Sequence, residues 1–383
     1  LTPRQRIVVY RELSSLMKSG HEPHIASSLA KSFDYEGDAT CATDGLCAIS
    51  CPVNIDTGKL IKKFRSEQVT YGHRISLWMA GHMDMLTKSA SAAFSIVDYV
   101  HSVLGTSAMQ AVSTGLRKLS FGRIPQWNPY MPGGAGRIKI RKELFADNIR
   151  KVVYFPSCIN RSMGVSRDHR KEDQLSQKMI RLLHKAGYDV IYPENFNKLC
   201  CGMAFSSKGY TEAGNRKSKE LEAALLIASG GGEYPVLCDM SPCLFTMREN
   251  MSADLKLFEP VEFINDYLLS HLDISPLNET ITVFPVCSMK KMGLEDKLIE
   301  LAEKCAAEVI VPETNCCGFA GDRGFSYPEL NTHGLRNLKT LIPSPVKQGY
   351  SNSRTCEIGL SRHSGITHKS IVYLVDDVSK ALT

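Results

Sequence analysis

The sequence predicts an α+β multidomain protein, with a helical N-terminal region followed by two pseudo-symmetric α/β units built on parallel sheets. Three observations predict it. Apolar residues recur at helical spacing as far as Leu119. From Arg150 onward, β-branched runs alternate with helical stretches. A cysteine pattern also occurs twice: Cys158, Cys200-Cys201-Gly202, Cys243, and then Cys287, Cys316-Cys317-Gly318, Cys356.

In chain order, Thr2 and Pro3 make an N-cap and first-turn pair, and Ile7, Tyr10, Leu13 and Leu16 or Met17 follow on one helical face. A short helix is expected near Ile25 to Phe33, then the cysteine cluster Cys41 to Cys51, then a helix around Thr57 to Gln68. Ile75 to Leu119 also reads as helix, with Phe94, Val97, Val100, Val103 and Leu104 as its apolar face. Phe121 to Gly136 carries Pro125, Pro129, Pro132 and Gly133-Gly134 and marks a linker.

Strands are expected at 151–155, 189–192 and 234–237, alternating with helices near Leu175 to Ala186 and Thr211 to Ala228. The second half repeats the scheme with a strand at 281–284, a helix from Lys297 to Ala307 and a strand at 309–311. The division is therefore 1–75 helical and ferredoxin-like, 76–145 connector, 146–272 first CCG unit and 273–383 second CCG unit.

Composition bounds the function. Hydrophobic content of 43% and charged content of 22% are those of a soluble globular protein. The net charge of +6 is scattered among acids, which argues against a nucleic-acid partner. Thirteen cysteines, without a signal peptide, fit metal-bound thiolates in a reducing cytoplasm better than disulfides. No segment reads as a membrane span. The sequence opens at Leu1 on a helix-start signal and is expected to be a piece of something longer.

Two constellations carry chemistry. Vicinal cysteines do not easily form an unstrained disulfide with each other, but both can face one metal. The first set is then Cys158, Cys200, Cys201 and Cys243, and the second Cys287, Cys316, Cys317 and Cys356. Each first cysteine ends a strand, where parallel α/β folds place their binding loops, and each glycine is expected to let the backbone approach a bulky centre. Iron–sulfur clusters and tetrahedral zinc both suit four thiolates.

The other constellation is Cys41-x-x-Asp44-Gly45-x-Cys47-x-x-x-Cys51-Pro52, the ferredoxin spacing with Asp44 in place of the second cysteine. Asp44 is either a hard ligand or a bystander, and a structural zinc site or a coincidental loop is the alternative to iron–sulfur. Cys238 is ambiguous, and Cys305 reads as a core residue. Asp322-Arg323 is either a charge pair near the second metal or a surface loop. Arg354, Arg362, His363 and His368 read as a solvated face, with a site for an anionic partner or quinone head group as the alternative, and Met79, Met83 and Met85 beside Trp78 as core packing with a quinone border as the alternative. No residue is assigned a catalytic role.

With these motifs placed, the chain resembles the C-terminal iron–sulfur part of bacterial FAD-linked D-lactate dehydrogenases, the large single-chain kind related to glycolate oxidase. The resemblance runs over essentially the whole chain. It includes Leu1-Thr2-Pro3-Arg4-Gln5-Arg6, Asp44-Gly45-Leu46-Cys47 to Cys51-Pro52-Val53, Cys316-Cys317-Gly318-Phe319-Ala320-Gly321-Asp322-Arg323 and Ser361 to Ser370. It implies 4Fe-4S clusters and an FAD-binding domain upstream in the same polypeptide. It further implies a quinone or cytochrome acceptor, and a cytoplasmic protein with at most peripheral contact at the inner face of the membrane.

A first ferredoxin motif would lie just before Leu1. Cys51 would then serve one cluster and Cys41 with Cys47 the other, each lacking partners in this chain. The module alone is expected not to oxidise lactate. Heterodisulfide reductase subunits share the CCG repeats, but Met240 and Ser353 stand where those carry further cysteines. A thiol–disulfide oxidoreductase and a zinc-stabilised interaction module are the alternative functions.

Overall fold

The computed structural model describes residues 1–69, 72–138 and 150–382. The expected boundary between residues 145 and 146 lies outside the described residues. Helix α1 (Pro3–Ser19) starts in a full capping box, in which the Thr2 side chain accepts from Gln5 N–H and the Gln5 side chain accepts from Thr2 N–H. It packs with α2 (Pro23–Phe33) and, past the short helix α3 (Leu46–Ile49), with α4 (Thr57–Gln68). Leu13, Phe33, Ile61 and Phe64 form their small core, with the Phe33 and Phe64 rings edge to face at 5.1 Å.

The single helix expected from Ile75 to Leu119 is two helices, α5 (His73–Gly81) and α6 (Met83–Leu119). Gly105, at φ 76° and ψ 169°, breaks the helical path of α6. Only the first half of the expected apolar face is covered. Phe94 and Val97 are half-buried, whereas Val103 and Leu104 are 67% and 49% exposed. None of the described helices is long and apolar enough to cross a membrane.

Beyond the linker the chain builds two four-stranded parallel sheets with the same topology. The first holds β1 (Arg150–Phe155), β2 (Tyr188–Ile191), β3 (Val236–Cys238) and β4 (Leu257–Phe258) in the order β2-β1-β3-β4. After β5 (Leu272–Ile274), the second holds β6 (Leu277–Val283), β7 (Ala306–Ile310), β8 (Gln348–Ser351) and β9 (Thr367–Ser370) in the order β7-β6-β8-β9. A last strand, β10 (Ser379–Ala381), pairs antiparallel with β5. In both sheets the first strand in sequence lies inside and the second at the edge, so the duplication inferred from the cysteines holds at the level of strand order.

The sheets share one core. Tyr154, Leu182 and Leu237 of the first half pack in the same cluster as Val283, Leu301 and Leu374 of the second. A buried polar link also crosses between them. The Glu259 carboxylate accepts from Val261 N–H and from Asn352 Nδ2, both at 2.5 Å, and burial pushes its carboxyl up to about 8. The N-terminal region is tied to both halves. Buried Arg65 donates to Asp38 at 2.5 Å and to Ser207 O at 2.6 Å, while Arg323 donates to Ala39 O at 2.6 Å.

Candidate metal centres

The C-terminal ends of the strands deliver the cysteines, as parallel sheets favour. Cys158 opens helix α7 (Cys158–Ser162) directly after β1. Following α8 (Leu175–Lys185) and β2, Cys200 and Cys201 precede α9 (Met203–Ser206). Beyond α10 (Thr211–Ala228) and β3, Cys243 sits in the first turn of α11 (Ser241–Asn250). In the second unit, past α12 (Pro260–Phe263), Cys287 opens α13 (Cys287–Met292) after β6. Helix α14 (Glu295–Cys305) and β7 lead to Cys316 and Cys317, and Cys356 lies in the first turn of the helix Arg354–Ser364. The two halves thus place four cysteines in corresponding positions.

Within each set the sulfurs meet in a chain. Cys158 Sγ lies 3.9 Å from Cys200 Sγ, and the Cys201 thiol interacts with those of Cys200 and Cys243. Cys287 Sγ lies within 4.8 Å of Cys316 Sγ, the Cys316 thiol interacts with that of Cys317, and Cys317 Sγ donates to Cys356 Sγ at 3.1 Å. All eight are free thiols. The hydrogen bond to Cys200 and burial push Cys158 well up. Cys200 is drawn down by its bond from Cys158, but its bond to Cys201 and burial take it up to about 12. Thiols this resistant to ionisation become thiolates once a cation shares their site.

One cavity of about 900 Å³ is lined by all eight cysteines. Its remaining wall is largely apolar, with Met79, Met83, Phe94, Met163, Phe205 and Phe245, and its polar members include Asp44, Lys62 and Lys291. Met79 and Met83 therefore border this space, and Met85 is left 44% exposed.

The donor set fits a metal. Next to Cys158, Arg161 is 8% exposed, and its Nη2 donates to Leu199 O at 2.5 Å. Its Nε and Nη1 have no hydrogen-bond partner. A buried cation left unpaired beside sulfurs suits a centre of negative charge. Four thiolates on one zinc, at about 2.3 Å each, place their sulfurs about 3.8 Å apart. Among the described residues, the only group of three or more donors mutually within 4.8 Å is Asp44, Cys287 and Cys316. Neither four-cysteine set is gathered that tightly round a single point.

The ferredoxin-type loop divides. Asp44, expected with Cys41, Cys47 and Cys51, turns its Oδ2 to Cys287 Sγ at 3.8 Å. Cys41 is buried in the N-terminal core, where burial raises its thiol. Cys47 Sγ lies 3.3 Å from Thr57 Oγ1. The backbone N–H groups of Ile55, Val53 and Asn54 lower the Cys51 thiol.

Other expectations change with packing. Arg354 and His368 are buried, not on a solvated face, and Arg354 pairs with Glu357 at 2.9 Å. Arg323 anchors the N-terminal region through Ala39 O, and Asp322 pairs with Lys208 while lining the cavity of the second cysteine set. Cys305 is buried in the core as expected, and Cys238 Sγ donates to Met240 O at 3.8 Å. Sequence reasoning missed Arg161. Its signal was position: it lies three residues after Cys158, on the same face of α7.

Comparison with known proteins matches the cysteine-rich domain CCG at residues 152–248 and 281–361, one match on each sheet unit. An anaerobic glycerol-3-phosphate dehydrogenase subunit from Escherichia coli (strain K12) is 23% identical over 327 residues, covering 80% of this chain and 78% of that protein. The protein of the same name from Escherichia coli O157:H7 matches with the same identity and coverage.

Proposed function

We propose that this chain is the iron–sulfur electron-transfer module of a flavin-linked dehydrogenase. The observation that carries the proposal is the pair of four-cysteine sets opening on one largely apolar cavity. The twin CCG matches support it, as does similarity to a dehydrogenase subunit, a protein that works beside others. Bound iron–sulfur centres supply one-electron carriers. The protein's own residues supply ligand thiolates, exclude water through the apolar wall, and set local charge through Arg161.

The electron source is an FAD-binding domain, upstream in the same polypeptide, where a 2-hydroxy acid such as D-lactate gives up hydride. The resemblance of the motifs carries that finer reading. Glycerol 3-phosphate, in the relative's name, is also a secondary alcohol oxidised by hydride loss. The acceptor is a quinone or a cytochrome, reached from the cytoplasm or the inner face of the membrane, and a cavity walled by Met and Phe favours the quinone.

Iron, acid-labile sulfide and zinc per chain on anaerobically purified protein test this. Iron matched by sulfide is expected, with reduced-state EPR signals. Zinc without sulfide would leave the CCG halves a structural role and overturn the reading.

A second test follows from Arg161. Arg161→Gln removes a buried cation beside Cys158, so the reduced, more negative centre loses stabilisation. The midpoint potential of the first centre is expected to fall by tens of millivolts, on a one-electron scale of about 59 mV per tenfold. The second centre is expected not to move. An EPR-monitored redox titration reads both.

A further inference from the structure

Asp44 stands where the ferredoxin spacing requires a cysteine, and the fold carries it to the second cysteine set. Its two oxygens have different work. Oδ1 accepts the Leu46 N–H at 3.2 Å, which fixes the turn into α3. Oδ2 accepts from the Cys287 thiol at 3.8 Å, the proton a metal would displace. The donor atoms of Asp44, Cys287 and Cys316 all lie within 4.8 Å of one another. Helix α3 packs on α13, so secondary structure on both sides holds this juxtaposition.

Lys291 passes close by, against Gly45, but its ammonium pairs with Asp56 at 3.7 Å and lies 3.9 Å from the Phe245 ring centre. A carboxylate and two sulfurs therefore converge at the cavity wall while the neighbouring ammonium is engaged elsewhere. One hard carboxylate and two soft sulfurs, which become thiolates once a cation displaces their protons, on one side of a point suit a metal site.

We propose that Asp44 is a ligand of the centre held by Cys287, Cys316, Cys317 and Cys356. The two centres are then chemically unlike, the first bound by four thiolates and the second by four thiolates and a carboxylate. This rests on the reading that the cysteine sets hold metal. An oxygen donor binds soft metal ions less firmly than sulfur does. Asp44 lines the cavity, so its coordination position is the one an entering ligand displaces most easily.

Asp44→Asn keeps an acceptor for the Leu46 N–H and removes the anionic donor. A companion change, Cys243→Ser, disables the first centre so that the second is read alone. X-ray absorption at the metal edge is expected to lose its oxygen contribution in Asp44→Asn, and the second centre's midpoint potential is expected to rise. Asp44→Cys, which offers a soft donor from the same position, is expected to retain the metal and replace oxygen by sulfur in the same spectrum.

A second centre unmoved in both spectrum and potential by either substitution would overturn the proposal. So would a change confined to a signal that survives removal of Cys317. Metal absent from both CCG sets in the parent protein would overturn the functional reading itself, a result distinct from a metal-loaded parent that ignores Asp44.

Discussion

Replacing Cys201 by serine is expected to empty the first centre while leaving the second loaded. Cys201 lies between Cys200 and Cys243 in its chain of interacting thiols, and it is 3% exposed. Serine matches its size, so the core around Leu221 and Leu244 keeps its packing. The hydroxyl, however, does not ionise as a thiol does and is a hard donor. The loss in metal affinity is expected to exceed the roughly 10–100-fold typical of removing a group one step beyond the ligands.

Cys317→Ser should do the same to the second centre, since Cys317 donates to Cys356 and interacts with Cys316. Metal per chain is expected to fall by one centre's worth in each variant. Electron transfer from the flavin partner to the acceptor should stop in both. Cys305→Ala is the control. Cys305 is a buried thiol in the hydrophobic core, and its removal is expected to cost stability without changing metal content. Equal metal content in Cys201→Ser and the parent would remove Cys201 from the ligand set.

The sequence made the two sheet units legible because their signals are local. β-Branched runs at 151–155 and 281–284 sit next to Phe-Pro-x-Cys in both halves. Strands β4, β5, β8, β9 and β10 were not anticipated. β8 reads Gln348-Gly349-Tyr350-Ser351, a polar run with one glycine, and it is a strand because it pairs with β6 and β9 in the middle of a sheet.

The site divides in the same way. Which cysteines line the cavity followed from the duplication, since a repeat makes each set predict the other. Where Asp44 points did not follow, because its partner Cys287 lies 243 residues away. Arg354 read as surface because charge patterns assume water; its partner Glu357 is only three residues on, and what the fold adds is that both are buried.

The glycine of each CCG motif was expected to make room for a bulky centre, and the structure gives it a different neighbour. Gly202 has φ +87°, and a Cβ there would lie 2.2 Å from the carbonyl oxygen of Gly214 on α10. Gly318 has φ +69°, and its Cβ would lie 2.4 Å from the carbonyl oxygen of Leu330 in the helix Pro328–Gly334. The device is repeated in each half, with a second glycine on the facing helix: Cβ atoms at Gly214 and Gly334 would also crowd the motif. The paired cysteines are thus set by backbone packed on backbone.

Gly202→Ala and Gly318→Ala each face two penalties. The left-handed conformation costs a residue with a Cβ about 1–2 kcal/mol. The clash with a main-chain carbonyl adds to it, because no side chain can swing away. A total of at least about 3 kcal/mol is expected, which at roughly 1–2 °C per kcal/mol for a chain of this length lowers Tm by roughly 3–6 °C. Metal should be lost from the substituted half only.

Gly365→Ala separates the two penalties. Gly365 has φ +81° but nothing within 4 Å of its would-be Cβ, so it meets the conformational cost alone. If Gly202→Ala and Gly365→Ala lowered Tm equally, helix contact would play no part in placing the cysteines. A clear excess at Gly202, with metal lost from the first centre, would show that the close approach to α10 holds Cys200 and Cys201 in place.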